Sequence, residues 1–101
     1  MNVCIFTGYL SEDPVLVKND GVSFLDLEFV VYNYRTTKKT KEKSKTPVYI
    51  YLEAWHTGAE TIHKMAHKGT KMTVSTIAKN PSDDDSSTVF RINEFDIHPD
   101  E

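Results

Sequence analysis

The clearest pattern in the chain is the alternation over residues 22–34, where Leu25, Leu27, Phe29 and Val31 interleave with Asp26, Glu28, Val30 and Tyr32. Period two puts the two sets on opposite faces of a long strand with one buried side. A second alternation, over residues 48–55, sets Ile50, Leu52 and Ala54 against Tyr49, Tyr51, Glu53 and Trp55. The more aromatic face there is the one that does not match an aliphatic core. Residues 3–10 predict an earlier strand, closed by Gly8 and the turn Ser11-Glu12-Asp13-Pro14. Residues 70–79 predict a fourth strand, with Met72, Val74 and Thr76 opposite in parity to Thr73, Ser75 and Ile77. Residues 88–98 predict a fifth, in which Phe90 and Ile92 share one parity but Phe95 and Ile97 the other, a break that predicts a bulge. Between these last two lies a polar hairpin loop, residues 80–87, with Pro81 and Asp83-Asp84-Asp85.

One helix signal interrupts the strands. Thr57 with Glu60 three residues on fits a capping box, Ala59, Ile62 and Ala66 fall on one face, and Gly69 supplies a stop. The predicted order is three strands, a short helix between the third and fourth, and two more strands. No repeat or linker divides the chain, so residues 1–101 form a single domain. An all-β chain with one short helix in this place has the layout of the five-stranded OB-fold barrel, a Greek key whose exposed strand face and loops bind oligonucleotides.

Charge complicates that reading and then supports it. A net charge of −3 argues mildly against a phosphate-binding protein. However, Lys38, Lys39, Lys41, Lys43 and Lys45 stand against the single acid Glu42, so positive charge is concentrated in one place. Such a run, taken alone, is more often a solvated loop. Here it lies between Tyr32, Tyr34 and Arg35 on one side and Tyr49, Tyr51 and Trp55 on the other. Flat π surfaces for any base, beside cations that follow the phosphates, are what sequence-independent capture of a single strand needs.

Other chemistry is not indicated. Cys4 is the sole cysteine, which excludes an intramolecular disulfide and a cysteine-based zinc site; it reads as a small buried hydrophobe. His63 and His67 have metal-binding spacing, but Lys64 stands where a hydrolytic zinc motif needs Glu, and the pair reads as surface histidines. The acids Asp83, Asp84 and Asp85 read as a solvated loop. With no phosphate loop and no nucleophile motif, we expect no enzyme, no cofactor and no metal. The opening residues carry neither a signal peptide nor a membrane span, so a cytoplasmic, nucleoid-associated protein is expected, or one in the host cytoplasm if phage-encoded.

Specific residues then match a known family. Gly8-Tyr9-Leu10 with Asp13-Pro14, Gly21 followed by residues 24–31, Ala54-Trp55 with Ala59-Glu60, and Lys68-Gly69-Thr70 occur in the order and nearly the spacing of bacterial and phage single-stranded DNA-binding proteins. The resemblance covers almost the whole chain. It implies that Tyr49 and Trp55 are stacking aromatics of the third strand, and that Tyr34 stacks where Arg35 replaces an aromatic of the second. It also implies a homo-oligomer, a tetramer before a dimer, acting in DNA replication, recombination or repair beside other proteins of those pathways. Tyr9 stands where the family has Asn, and Thr76 where it commonly has Gly. The acidic tail of bacterial members is missing after Glu101, which implies a phage, plasmid or trimmed form, or a primosomal cousin acting mainly through protein contacts. The expected DNA-binding residues are Tyr32, Tyr34, Arg35, Lys38, Lys39, Lys41, Lys43, Tyr49, Tyr51 and Trp55. The competing role for these aromatics is core or subunit packing, which we assign instead to Phe6, Phe24, Phe29, Phe90 and Phe95.

Overall fold

The computed structural model describes residues 1–36, 38–39, 43–81 and 87–98. Lys41 and the acidic run Asp83-Asp84-Asp85 lie outside the described residues. The elements are β1 (Cys4–Leu10), β2 (Val15–Asn19), β3 (Val22–Thr36), β4 (Lys43–Trp55), α1 (His56–Met65), β5 (Lys71–Lys79) and β6 (Val89–Ile97). Pairing runs β1–β3, β3–β4, β4–β6, β6–β5 and β5–β1, a ring that closes on itself. Every contact in it is antiparallel except β4–β6, which is parallel. This is a closed five-stranded OB-fold barrel with its helix between the third and fourth barrel strands.

Six strand segments make five barrel strands because β1 and β2 are two halves of one. Both pair with β3, at Leu10↔Phe29 and again from Val15↔Asp26, and four residues, 11–14, face only two on β3 across the gap. Ser11 holds the break by donating its hydroxyl to the Glu28 carbonyl and carboxylate. The sequence reading missed β2. It is joined to β3 by Asp20-Gly21, both with positive φ (51° and 79°), the left-handed pair that a tight hairpin turn requires.

The buried side of each strand follows the period-two pattern. Leu25, Leu27 and Phe29 of β3, Leu52 and Ala54 of β4, and Met72 and Val74 of β5 fill the barrel. Ala59 and Ile62 of α1 close one end. Thr76 is fully buried with them and donates its hydroxyl to the Cys4 carbonyl, so the polar group replacing the expected Gly is satisfied. The predicted bulge is present: Ser75 opposes Glu94 while Thr76 opposes Ile92, leaving Asn93 as the extra residue that flips the parity of β6.

Three expectations change. The capping box does not form: the N-cap is Trp55, with no side-chain cap bond, and Glu60 instead accepts the Ser23 hydroxyl and pairs with Lys18. The helix ends at Met65, ahead of the Gly69 stop, and the segment after it is tied to the first strand by Gly69 N–H to the Leu10 carbonyl and Lys68 N–H to Asp13. Of the phenylalanines assigned to core or subunit packing, Phe29 is fully buried, Phe6, Phe90 and Phe95 are half-buried against the core, and Phe24 lies on the outer face, outside the core.

Gly8 permits the closure. A Cβ there would run into the Val30 carbonyl oxygen and come within 3.0 Å of the Phe29 ring, so only glycine lets β1 pass from β5 onto β3. Gly8→Ala should therefore lower the unfolding free energy by about 1–3 kcal/mol, the usual range for overpacking. Urea unfolding would show it as a lower midpoint with an unchanged slope.

Candidate nucleic-acid interface

The register of β3 against β4 decides what stands on the barrel wall. It runs unbroken from Phe24↔Trp55 to Thr36↔Lys43, and with Leu25, Leu27 and Phe29 inward, the residues between them must point out. Three rows cross the outer face. In the first, Val17, Phe24 and Trp55 lie abreast on β2, β3 and β4. In the second, Val15, Asp26, Glu53 and Arg91 do the same as far as β6. In the third, Lys71, Tyr9, Val30 and Tyr49 run from β5 through β1 and β3 to β4.

The expected aromatics occupy this face. Tyr49 and Tyr51 are 57% and 59% exposed and Tyr34 is 77% exposed, large values for side chains of this size. Tyr32 is half-buried, edge-on to Tyr9 at 6.3 Å between centroids, with the Lys45 ammonium 4.3 Å above its ring. Trp55 is half-buried rather than free. Its ring packs 4.5 Å from Phe24, its Nε1 donates to Glu53 at 3.2 Å, and the Arg91 guanidinium lies 5.9 Å from its centroid.

Beyond the barrel, β3 and β4 continue as a two-stranded ribbon, so the strands run to Thr36 and from Lys43, through residues that the sequence reading left in the lysine loop. Lys43 and Lys45 are strand residues, opposite Thr36 and Tyr34, and Arg35 opposes Ser44. Lys38, Lys39 and Arg35 are exposed at or near its tip. Lys43 and Lys45 thus lie on the same side as Tyr32 and Tyr34, contiguous with the aromatic wall, whereas Arg35, expected in the site, alternates with Tyr34 and faces the other side of the ribbon.

Residues the sequence reading passed over complete the site. Phe24 was assigned to packing, yet its parity relative to Leu25 places it outward against Trp55. Tyr9 joins Tyr32, and with Thr7, Gly8, Tyr34 and Lys71 lines a hollow of about 230 Å³. Arg91 enters from β6. Phe24 could have been found by counting alternation; Tyr9, Lys71 and Arg91 depend on pairings between distant strands.

Carboxylates sit amid the aromatics. Asp26 and Glu53 face each other across the ladder, and Glu53, 8% exposed, is held by Lys79 at 2.8 Å as well as by Trp55. Burial raises the Asp26 carboxyl above its ordinary value of 3.8, and Glu53 opposite adds to the rise. Among the described residues no group of three or more His, Cys, Asp or Glu side chains is placed to hold a metal ion, and no helix is long and apolar enough to cross a membrane.

Neither a protein-family model nor a curated protein matches the sequence. Solved structures do match its fold. The single-stranded DNA-binding protein of Thermus aquaticus superposes with a TM-score of 0.81 at 18% identity, over 98% of this chain and 50% of that one. The protein priB of Ralstonia solanacearum superposes with a TM-score of 0.73 at 14% identity, over 97% and 99% of the two chains. The small single-stranded DNA-binding protein of Streptomyces coelicolor gives 0.76 at 13% identity, over 97% and 95%. The chain thus spans about half the length of the Thermus protein and nearly all of the other two.

The Asp26 shift fixes a sign. A carboxyl whose pKa is raised by folding binds its proton more tightly in the folded state. Its ionisation therefore opposes folding: the penalty is absent below pH 3.8, grows as pH rises towards the raised value, and is complete above it. Asp26→Asn should accordingly raise the thermal midpoint at pH 7. Melting curves across pH should show this gain fading as pH falls through 3.8.

Proposed function

We propose that this chain binds single-stranded DNA without sequence specificity, bases stacked on the outer wall of β3 and β4 and phosphates followed by the ribbon cations, and so protects the strand during replication, recombination or repair. The observation that carries the reading is the wall itself: folding buries the aliphatic sides of β3 and β4 and leaves Tyr34, Tyr49 and Tyr51 in water on one contiguous face, with Lys43 and Lys45 at its end. An exposed aromatic surface flanked by cations is suited to unpaired bases and not to a duplex, whose bases are already stacked. Two of the structural relatives are named for binding single-stranded DNA. Such a protein acts in the cytoplasm, where unpaired DNA arises.

The protein works as a homo-oligomer in this reading, a tetramer before a dimer. One barrel covers only about 4 to 16 nucleotides, and linked sites gain affinity without new contacts. On β1 only Tyr9 and Leu10 pair with β3, so the preceding residues keep one open edge, lined by the exposed apolar residues Val3 and Ile5. The adaptor reading, in which the barrel mainly binds other proteins, is favoured by one observation: the carboxylates Asp26, Glu28 and Glu53 on the same wall repel phosphate.

Tryptophan fluorescence separates the two. Poly-dT should quench Trp55, and duplex DNA should not. Tyr49→Ala should cost about 1–3 kcal/mol of strand affinity, the loss of one stacked base, without loss of fold. Converting Lys38, Lys39, Lys43 and Lys45 to Gln should flatten the slope of log K against log salt by up to about 2 to 3 units. Absence of strand binding at low salt would favour the adaptor, and a monomeric native mass would remove the oligomer.

A further inference from the structure

The first outer row ends in a pocket that stacking alone does not use. Val17, Val22, Phe24 and Trp55 form its apolar walls, Asn19 and Asp20 its polar rim, and its volume is about 340 Å³. It lies beyond the Phe24–Trp55 pair, on the β2–β3 hairpin, so a strand stacked along the wall passes its mouth. The size suits one base with part of its sugar and no extended ligand. The walls offer two aromatic rings already packed at 4.5 Å, with Val17 half-exposed opposite Phe24.

The rim decides which part of a nucleotide enters. A phosphate would meet the carboxylate of Asp20, whereas Lys18, the nearest lysine in sequence, is paired with Glu60. A carboxylate only accepts hydrogen bonds. It suits a base edge that carries an exocyclic amine, as in cytosine, and opposes the two carbonyls that flank the single N–H of thymine. Asp20 projects from the left-handed hairpin turn (φ 51°), which places it at the rim of the pocket.

Resting on the strand-binding reading above, we infer that this pocket is a base subsite in which one nucleotide of the bound strand inserts an amino-bearing base between the Val17–Phe24–Trp55 walls and the Asp20 carboxylate. The wall remains indifferent to sequence; this subsite adds a preference at one position, for cytosine over thymine.

The test compares oligo-dC with oligo-dT of equal length at pH 8, where cytosine is unprotonated, using Trp55 quenching for the full chain and for Asp20→Asn. Asparagine also tolerates the left-handed turn, so the variant keeps the hairpin. The wild-type chain should bind oligo-dC at least about fivefold more tightly than the intrinsic stacking of the two homopolymers explains, an excess that collapses in Asp20→Asn. A dC-to-dT ratio identical in both proteins would overturn the subsite and leave strand binding intact. Failure of both homopolymers to bind would overturn strand binding and the subsite with it. A changed native mass in Asp20→Asn with an unchanged ratio would make the pocket a contact between copies and overturn the subsite.

Discussion

The antiparallel register of β3 against β4 is the constraint on which the rest depends. Strand side chains alternate strictly, so a slip of one residue would send Leu25, Leu27 and Phe29 into water and Asp26 and Glu28 into the core. The buried aliphatic set therefore locks the register, and the register in turn fixes what faces out. Phe24 against Trp55, Asp26 against Glu53, Glu28 against Tyr51 and Val30 against Tyr49 are consequences of packing on the other side of the sheet. The site is a by-product of the core in this sense: the interactions that stabilise the barrel are the ones that present the aromatics.

A chain with a net charge of −3 can still hold a polyanion if its charges are segregated. The structure separates them along one face. Cations cluster on the ribbon, while the acids on the wall are largely occupied: Glu53 by Lys79 and Trp55, Glu28 by Ser11. Asp26 is the exception, its charge disfavoured by burial and by its neighbour. Stacking then supplies base contacts in the middle of the wall, where phosphate contacts would be unfavourable.

Much of this was legible because period two needs no partner strand. Tyr49, Tyr51 and Trp55 opposite Ile50, Leu52 and Ala54, and the parity break that became the Asn93 bulge, were visible in single segments. What escaped needed either distant pairing or a weaker pattern. Residues 36–47 carry no apolar alternation, so the ribbon's length comes from cross-strand pairing and not from burial. Val15, Leu16 and Val17 are all apolar, without the alternation that marks a strand; the Asp20-Gly21 turn after them was the available signal. Phe24 was assigned to core or subunit packing on residue type; its parity excludes the core and places it on the outer face against Trp55. Thr57 and Glu60 had capping-box spacing, but Ser23 and Lys18, distant in sequence, engage Glu60 instead.

The central claim is that an unpaired strand lies on the outer wall of β3 and β4. Amide chemical-shift mapping of the isotope-labelled protein, titrated with a short oligo-dT at low salt, tests it most directly. The account predicts shifts concentrated on β3 and β4 from Phe24↔Trp55 to Tyr34↔Lys45, extending to Tyr9 and Arg91. Shifts confined to the open edge of β1 and its neighbours on β5, or none at saturating oligonucleotide, would contradict it.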